Sequence, residues 1–298
     1  MRFSEHWLRT IADPAVDTAS LCDTLTMAGL EVEECAAAAP PFTNVVVGRI
    51  DKVEAHPNAD RLRVCTVDVG ADAPLWIVCG APNAAAGMLV PCARVGAVLP
   101  GDVAIRQAAV RGVESSGMLC SAKELGLSDD ASGLLALPRD LAPGTDLRLA
   151  LDLDDHLITL KLTPNRADCL SILGIAREVA AMTGAPLRPP ATTPVPVTSS
   201  AVHRVRVEDA GACPRFASRV IEDVDPSAPT PDWMKTRLER SGIRSISAIV
   251  DVTNFVMLEL GQPLHAYDRA LLEGDVVVRF ARPQEQLLLL NGEKLDLE

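Results

Sequence analysis

The sequence predicts an α+β chain of two or three domains, one of them a small closed Greek-key barrel of the OB kind. Three observations carry this reading. At 298 residues and 48% hydrophobic content, the chain has enough apolar side chains for several cores. From Val45 to Ser121, short runs rich in Val, Ile and Leu alternate with Gly, Pro and Asn turns, many strands within about 100 residues. Residues 185–200, APLRPPATTPVPVTSS, read as an extended linker, because repeated Pro excludes both helix and central strand. A third region follows it.

The elements follow in order. Residues 4–12 and 17–29 read as short helices. Asp17 suits an N-cap, Leu21, Leu25 and Ala28 recur at helical spacing, and Gly29 suits the position past the last turn. An Ala/Pro stretch, residues 36–41, marks a junction. The barrel strands are read in VVVGRIDKVEAHP, LRVCTVDVG, LWIVCGAPN and MLVPCARVGAVLPG, with AAVRGVESSGMLCS continuing the irregular pattern and residues 123–126 a short helix. The acidic segment DLDDHLITLKLTPNRADC leads into a helix over 170–182, closed by Gly184. VHRVRVED alternates like a strand. Thr230 as N-cap with Pro231 at the first helical position opens a helix that Gly242 ends. Residues 246–260 form a second helix before Gly261, residues 276–281 a strand, and LLLLNGEKLDLE a hairpin around Asn291 and Gly292. A last strand without its sheet predicts further chain beyond residue 298.

Charge and composition narrow the function. The net charge of −12 argues against gripping nucleic acid by bulk electrostatics. The charge is uneven: residues 1–39 carry 2 basic and 7 acidic groups, residues 40–150 carry 10 and 12. A local basic face is therefore compatible with the barrel region. No window approaches 18 uninterrupted apolar residues and the N-terminus lacks a signal-peptide core, so no membrane partner is expected. The eight cysteines form no C-x-x-C pair, which reads as reduced thiols in a cytoplasmic protein and no metal site.

Two motifs sit in barrel loops. In His56-Pro57-Asn58-Ala59-Asp60-Arg61-Leu62, Pro57 fixes one φ, and Asn58 and Asp60 suit turn hydrogen bonds. One reading is a rigid barrel loop. The other places Lys52, Arg61 and Arg63 on an exposed face against phosphates. Gly112-Val113-Glu114-Ser115-Ser116-Gly117-Met118 follows Arg111. It is either an ordinary turn or a close approach to a ribose–phosphate chain, and it is no P-loop.

HPNADRLRVCTVDVG, IVCGAPN and RGVESSGMLCS together resemble the tRNA-binding OB module of several synthetases and tRNA-associated factors. LTPNRADCLSILGIAREVAAMTG and TPDWMKTRLERSGIRSISAIVDVTNFVMLELGQPLHAYD resemble the bacterial-type phenylalanine–tRNA ligase β subunit, and the likeness runs along the whole chain. The resemblance implies an OB-type barrel at 40–150 inserted in a split α/β domain of residues 1–39 and 151–190. A linker at 191–204 and the incomplete first part of an α+β editing domain at 205–298 would follow. It implies an α2β2 enzyme that joins phenylalanine to tRNA(Phe) with ATP and Mg2+, neither held by this segment, with the α subunit and tRNA as partners and no DNA. It also implies an editing pocket that hydrolyses tyrosyl-tRNA(Phe). A second site is needed because a phenylalanine pocket rejects tyrosine only by crowding its hydroxyl. Thr253 and Asn254 in VDVTN, His265 in GQPLHAYD and Arg244 in GIRS match that pocket. Thr253 would orient a water or a ribose hydroxyl. For His265 three readings stand: a base, a pocket lining with a tRNA hydroxyl assisting instead, or a histidine packed beside Pro263. The residues that read the tyrosine hydroxyl lie beyond Glu298, so this segment alone is expected to be inactive. A tRNA-affinity appendage and an α-subunit-packing module remain as rival readings, and a freestanding editing enzyme as a third.

Overall fold

Capping side chains set the first elements of the computed structural model, which describes residues 1–297. Strand β1 (Arg2–Ser4) runs straight into helix α1 (Glu5–Ile11), because Ser4 both ends the strand and caps the helix, its Oγ accepting the Trp7 amide at 3.1 Å. Asp17 caps α2 (Thr18–Met27), accepting the Ser20 amide at 2.8 Å. Strand β2 (Glu31–Ala37) then includes Ala36 and Ala37, so the expected junction begins only after it.

The middle of the chain is a curled sheet. Its strands are β3 (Thr43–Ala55), β4 (Arg63–Asp68), β5 (Leu75–Cys79), β6 (Leu89–Leu99), β7 (Val103–Ala104) and, beyond the separate hairpin of β8 (Ala108–Val110) and β9 (Val113–Ser115), β10 (Gly117–Leu119). The order is β10-β6-β3-β4-β5, with β7 on β6. The two ends of this path approach: the Ser116 amide donates to the Trp76 carbonyl at 2.9 Å and the Val78 amide to Ser115 Oγ at 3.1 Å. Alternation along β3 buries both faces. Val46 and Ile50 join Cys65, Val67, Ile77, Val90 and Cys92 inside the curl. Val45 and Val47 join Phe42, Leu99, Leu125 and Leu147 on the other side.

Residues 123–126 are turns, not the expected helix. Ser121 and Glu124 do form a reciprocal capping pair, with the Ser121 amide donating to Glu124 Oε2 at 2.6 Å and the Glu124 amide to Ser121 Oγ at 3.3 Å. Gly126, at φ 66°, stops propagation after one turn.

Helix α3 (Leu147–Ala150) leads to β11 (His156–Lys161), which lies between β1 and β2 in an antiparallel three-stranded sheet. Chain segments on either side of the curled sheet thus share one sheet. A 3₁₀ turn (Pro164–Cys169) and α4 (Ile172–Thr183) follow. Residues 188–204 hold no helix or strand, as the Pro-rich composition predicts.

The last region contains β12 (Val205–Val207), α5 (Asp232–Arg240), α6 (Ala248–Leu260), β13 (Val276–Val278) parallel to β12, and the hairpin of β14 (Gln286–Leu288) and β15 (Lys294–Asp296). Pro231, not Thr230, is the residue preceding α5. No side chain caps the helix, and the Thr230 hydroxyl donates to Asp251. Met234, Leu238 and Phe255 belong to the same core as Phe3, Trp7, Leu25, Ile158 and Ile175. The anticipated boundary at residue 205 is therefore not a division between cores.

Candidate functional site

His56 organises the loop that joins β3 to β4. It is buried, and a tautomer with its proton on Nε2 satisfies both ring nitrogens: Nε2 donates to the Val110 carbonyl at 3.1 Å, and Nδ1 accepts the Asn58 amide at 3.1 Å. Asn58 Nδ2 donates to the Arg111 carbonyl at 3.0 Å. The loop is thereby pinned to the two-residue turn of the β8–β9 hairpin, where Arg111 and Gly112 have φ of 49° and 89°, the signs a type I′ turn requires.

The structure places Lys52, Arg61, Arg63 and Arg111 all on the surface. It brings the loop carrying Arg61 against the turn carrying Arg111, and among the described residues neither these two nor Arg63 has a carboxylate within 4.0 Å. Lys52 differs, since its Nζ pairs with Glu54 at 2.9 Å. Register also separates it from Arg63: Lys52 pairs with Thr66 and Ala55 with Arg63, and residues three apart on β4 face opposite sides. The four cations do not form one face. The glycine of the neighbouring Ser-Ser-Gly has a structural reason, because a Cβ on Gly117 would meet the Ala93 carbonyl oxygen at 2.7 Å.

The second group of candidate residues lies around α6. Thr253 and Asn254 are half-buried on that helix, and the Thr253 hydroxyl donates to the Val250 carbonyl at 2.7 Å, within its own helix. Arg244 is exposed in the α5–α6 connection. His265 is exposed and stacks on Tyr267, ring centroids 6.0 Å apart, so the packed-histidine reading is not what is found. A groove of about 400 Å³ opens between the N-terminal ends of α5 and α6, lined by Thr230, Asp232, Lys235, Ser245 and Ser247 among others. None of the four candidates lines it.

Two residues absent from the sequence reading hold this region together. Asp251, in the first turn of α6, is fully buried. It accepts the hydroxyls of Thr230 and Ser245 (the latter at 2.6 Å) and the Ile246 amide at 2.9 Å. Burial opposes its ionisation, but these hydrogen bonds outweigh that and hold its pKa below the ordinary carboxylate value. Arg240, at the end of α5, donates to Asp155 at 2.8 Å, to Asp152 at 3.0 Å and to the Leu151 and Asp152 carbonyls. Asp155 also accepts from the Ser4 hydroxyl at 2.5 Å and from the His6 amide at 2.9 Å. Beside this clasp Phe255 stacks on Trp7 at 4.9 Å, and Arg237 lies over both Trp7 and Trp233, where burial lowers its pKa. A spacing of three or four residues on one helix face would have suggested an aromatic contact, but not its partner 248 residues away in Trp7.

Among the described residues, two clusters have metal-ligand chemistry: His6, Asp152 and Asp155, and Asp168, Cys169 and Glu178. Arg240 spans the first and Arg166 the second, each supplying the positive charge a cation would bring. Neither fits a bound metal ion.

Comparison with known proteins places these features. Residues 45–146 match the family described as "Putative tRNA binding domain", and residues 212–298 match "B3/4 domain". The chain is 61% identical over all its 298 residues to the phenylalanine–tRNA ligase β subunit of Bordetella pertussis, 60% to that of Dechloromonas aromatica and 56% to that of Chromobacterium violaceum. It spans 37–38% of the length of these relatives. A likeness to the C-terminal domain of Plasmodium vivax p43, 25% identical over 34% of this chain and 56% of that one at a TM-score of 0.27, is too slight to argue from. The two family matches define the class, a chain that carries a tRNA-binding unit followed by a B3/4 unit. More narrowly, the chain belongs to the phenylalanine–tRNA ligase β-subunit family.

Proposed function

We propose that this chain is the tRNA-handling portion of a β subunit that works with an α subunit, as α2β2, to join phenylalanine to tRNA(Phe) with ATP and Mg2+ in the cytoplasm. In this reading the curled sheet is an OB-type barrel (residues 40–150) inserted in a split domain (1–39 and 151–190). Residues 205–298, after a linker at 191–204, begin the editing domain. The observation that supports it best is the 61% identity along the whole chain, with the two matched units in order. Near-balanced charge limits the barrel to an auxiliary contact through Lys52, Arg61, Arg63 and Arg111. Thr253, Asn254, Arg244 and His265 contribute part of the site that hydrolyses tyrosyl-tRNA(Phe). Charging belongs to the assembled enzyme, and no residue of this chain is assigned to ATP or Mg2+.

The test uses the full-length β subunit carrying this sequence, assembled with its α subunit. His265→Ala and Thr253→Val are expected to slow hydrolysis of tyrosyl-tRNA(Phe) about tenfold or more while leaving phenylalanine charging unchanged. Unaltered tyrosine clearance in both variants leaves only a binding and assembly role for this region. The 298-residue chain alone is expected to hydrolyse tyrosyl-tRNA(Phe) no faster than buffer.

A further inference from the structure

Among the described residues, Trp76 is the one exposed aromatic side chain of the curled sheet. Of the three tryptophans, Trp7 is buried, and Trp233 packs edge-on against Phe255 and under Arg237. Trp76 is 63% exposed and, among the described residues, has no aromatic or cationic partner. A single exposed apolar side chain is ordinary on a protein surface; what sets Trp76 apart is its position.

The register supplies that position. Lys52 on β3 pairs with Thr66 on β4, and Thr66 pairs with Trp76 on β5. Directly opposed residues share a face, so Lys52, Thr66 and Trp76 form one row across three strands. It lies on the side opposite Cys65, Val67 and Ile77, which fill the interior. The strand beneath the indole is fixed on both edges: β4 on one, and the Ser116 amide on the Trp76 carbonyl with the Val78 amide on Ser115 Oγ on the other. The charges of this face are spent on one another. Lys52 pairs with Glu54 at 2.9 Å, and Arg49 with Asp51 and Asp68 at 2.8 Å each. A rigid, near-neutral face with one free aromatic suits the π-face of a base better than a phosphate. The unpaired cations lie to one side of the row, along the strands, and Arg63 itself faces the other side of the sheet. Arg63, where the His56 loop ends, is three residues along β4 from Thr66, about 10 Å at strand rise.

We propose that Trp76 is a stacking platform for an unpaired base of tRNA, with Thr66 and Lys52 beside it and the Arg61 and Arg111 loops on the adjoining phosphates. This rests on the tRNA-binding reading above and selects the face that meets the RNA. The test titrates the 298-residue chain with a tRNA(Phe) transcript and with a fully paired RNA duplex at several salt concentrations. Trp76→Ala is expected to weaken tRNA binding about tenfold, to leave duplex binding and the salt slope of tRNA binding unchanged, and to leave the circular dichroism spectrum intact. Trp76→Phe, which keeps a ring, retains affinity within about threefold but loses the tRNA-dependent quenching of indole emission seen in the parent. Equal tRNA affinity for parent and Trp76→Ala, or quenching that survives Trp76→Phe, overturns the proposal while the tRNA-binding reading stands. No tRNA binding by the parent chain, even at low salt, sinks both.

Discussion

The curled sheet and the C-terminal region bury their apolar residues in opposite ways. Residues 42–153 build two cores of their own, one inside the curl around Ile50, Val67 and Ile77 and one outside it around Val47, Leu99 and Leu125. Beyond residue 200, the only buried hydrophobics among the described residues are Met234, Leu238 and Phe255, and all three belong to a core built mainly by α1, α2, β11 and α4. The rest of that region leaves Leu264, Tyr267, Leu271, Phe280 and Leu288 open to solvent. One region holds its candidate residues by its own packing. The other holds them by docking two helices on a neighbour, so the position of Thr253, Asn254 and Arg244 depends on the contacts of α5 and α6.

The largest effect should come from breaking that docking. Arg240→Met removes one partner of a buried ion pair, with the Asp155 side chain fully buried and that of Arg240 11% exposed. Removing one partner of such a pair costs about 3–5 kcal/mol, because the remaining carboxylate stays buried without its counter-charge. Hydrogen exchange resolves where the loss falls. Amides of α5 and α6 should lose protection while those of β3, β4 and β6 keep theirs. Equal loss in both regions would mean that the curled sheet also depends on the clasp, and the contrast would fail.

The same contrast explains what could be read from sequence. Local signals were legible: Asp17 caps α2, Gly184 and Gly261 close α4 and α6 in left-handed conformations, and the hairpin turns at Asn291 and Gly292. The strands of the curled sheet stood out because Val, Ile and Leu alternate between Gly and Pro turns. The sheet of β1, β11 and β2 did not. β1 is three residues long, β2 is mostly exposed with glutamates at three of its seven positions, and β11 hides in an acidic stretch. Its pairing of Arg2 with Thr159 bridges a separation that no local pattern encodes, and only family resemblance pointed to it. Thr230 misled for a related reason: a hydroxyl before Pro231 is a good cap on local chemistry, but the helix starts one residue later, after Pro231, and the Thr230 side chain reaches Asp251 on the next helix. The candidate cations were legible as residues, whereas Lys52 and Arg63 facing opposite sides follows from a bulge between Ile50 and Lys52.

Asp251 offers a smaller and pH-dependent break in the docked region. Its folded pKa is depressed below the unfolded value of about 3.9. The stability it contributes is therefore fully present above that value and is lost as pH falls through the folded pKa. Asp251→Asn is expected to cost about 1–3 kcal/mol at neutral pH, since the Thr230, Ser245 and Ile246 donors lose a charged acceptor. The difference between parent and variant in α6 protection should shrink on acidification below about pH 4. A difference that stays constant down to pH 2 would mean that the charge of Asp251 contributes nothing and only its shape matters.

The smallest effect probes the self-contained region. Arg111 has no acidic partner within 4.0 Å among the described residues, whereas Lys52 is neutralised by Glu54. If both meet phosphates, their removal should differ. Arg111→Ala is expected to weaken tRNA(Phe) binding a few-fold and to reduce the slope of log affinity against log salt by about one. Lys52→Ala also frees Glu54 to repel the backbone, but removes a charge already half-spent, so its slope change should be smaller. Arg111 sits on a turn held by His56 and Asn58, remote from the α5 clasp, so its effect should add to that of Arg240→Met without coupling. Additivity would show the curled sheet binding as an independent unit. A coupling well above about 0.5 kcal/mol would show that tRNA contacts in one region sense the docking of the other.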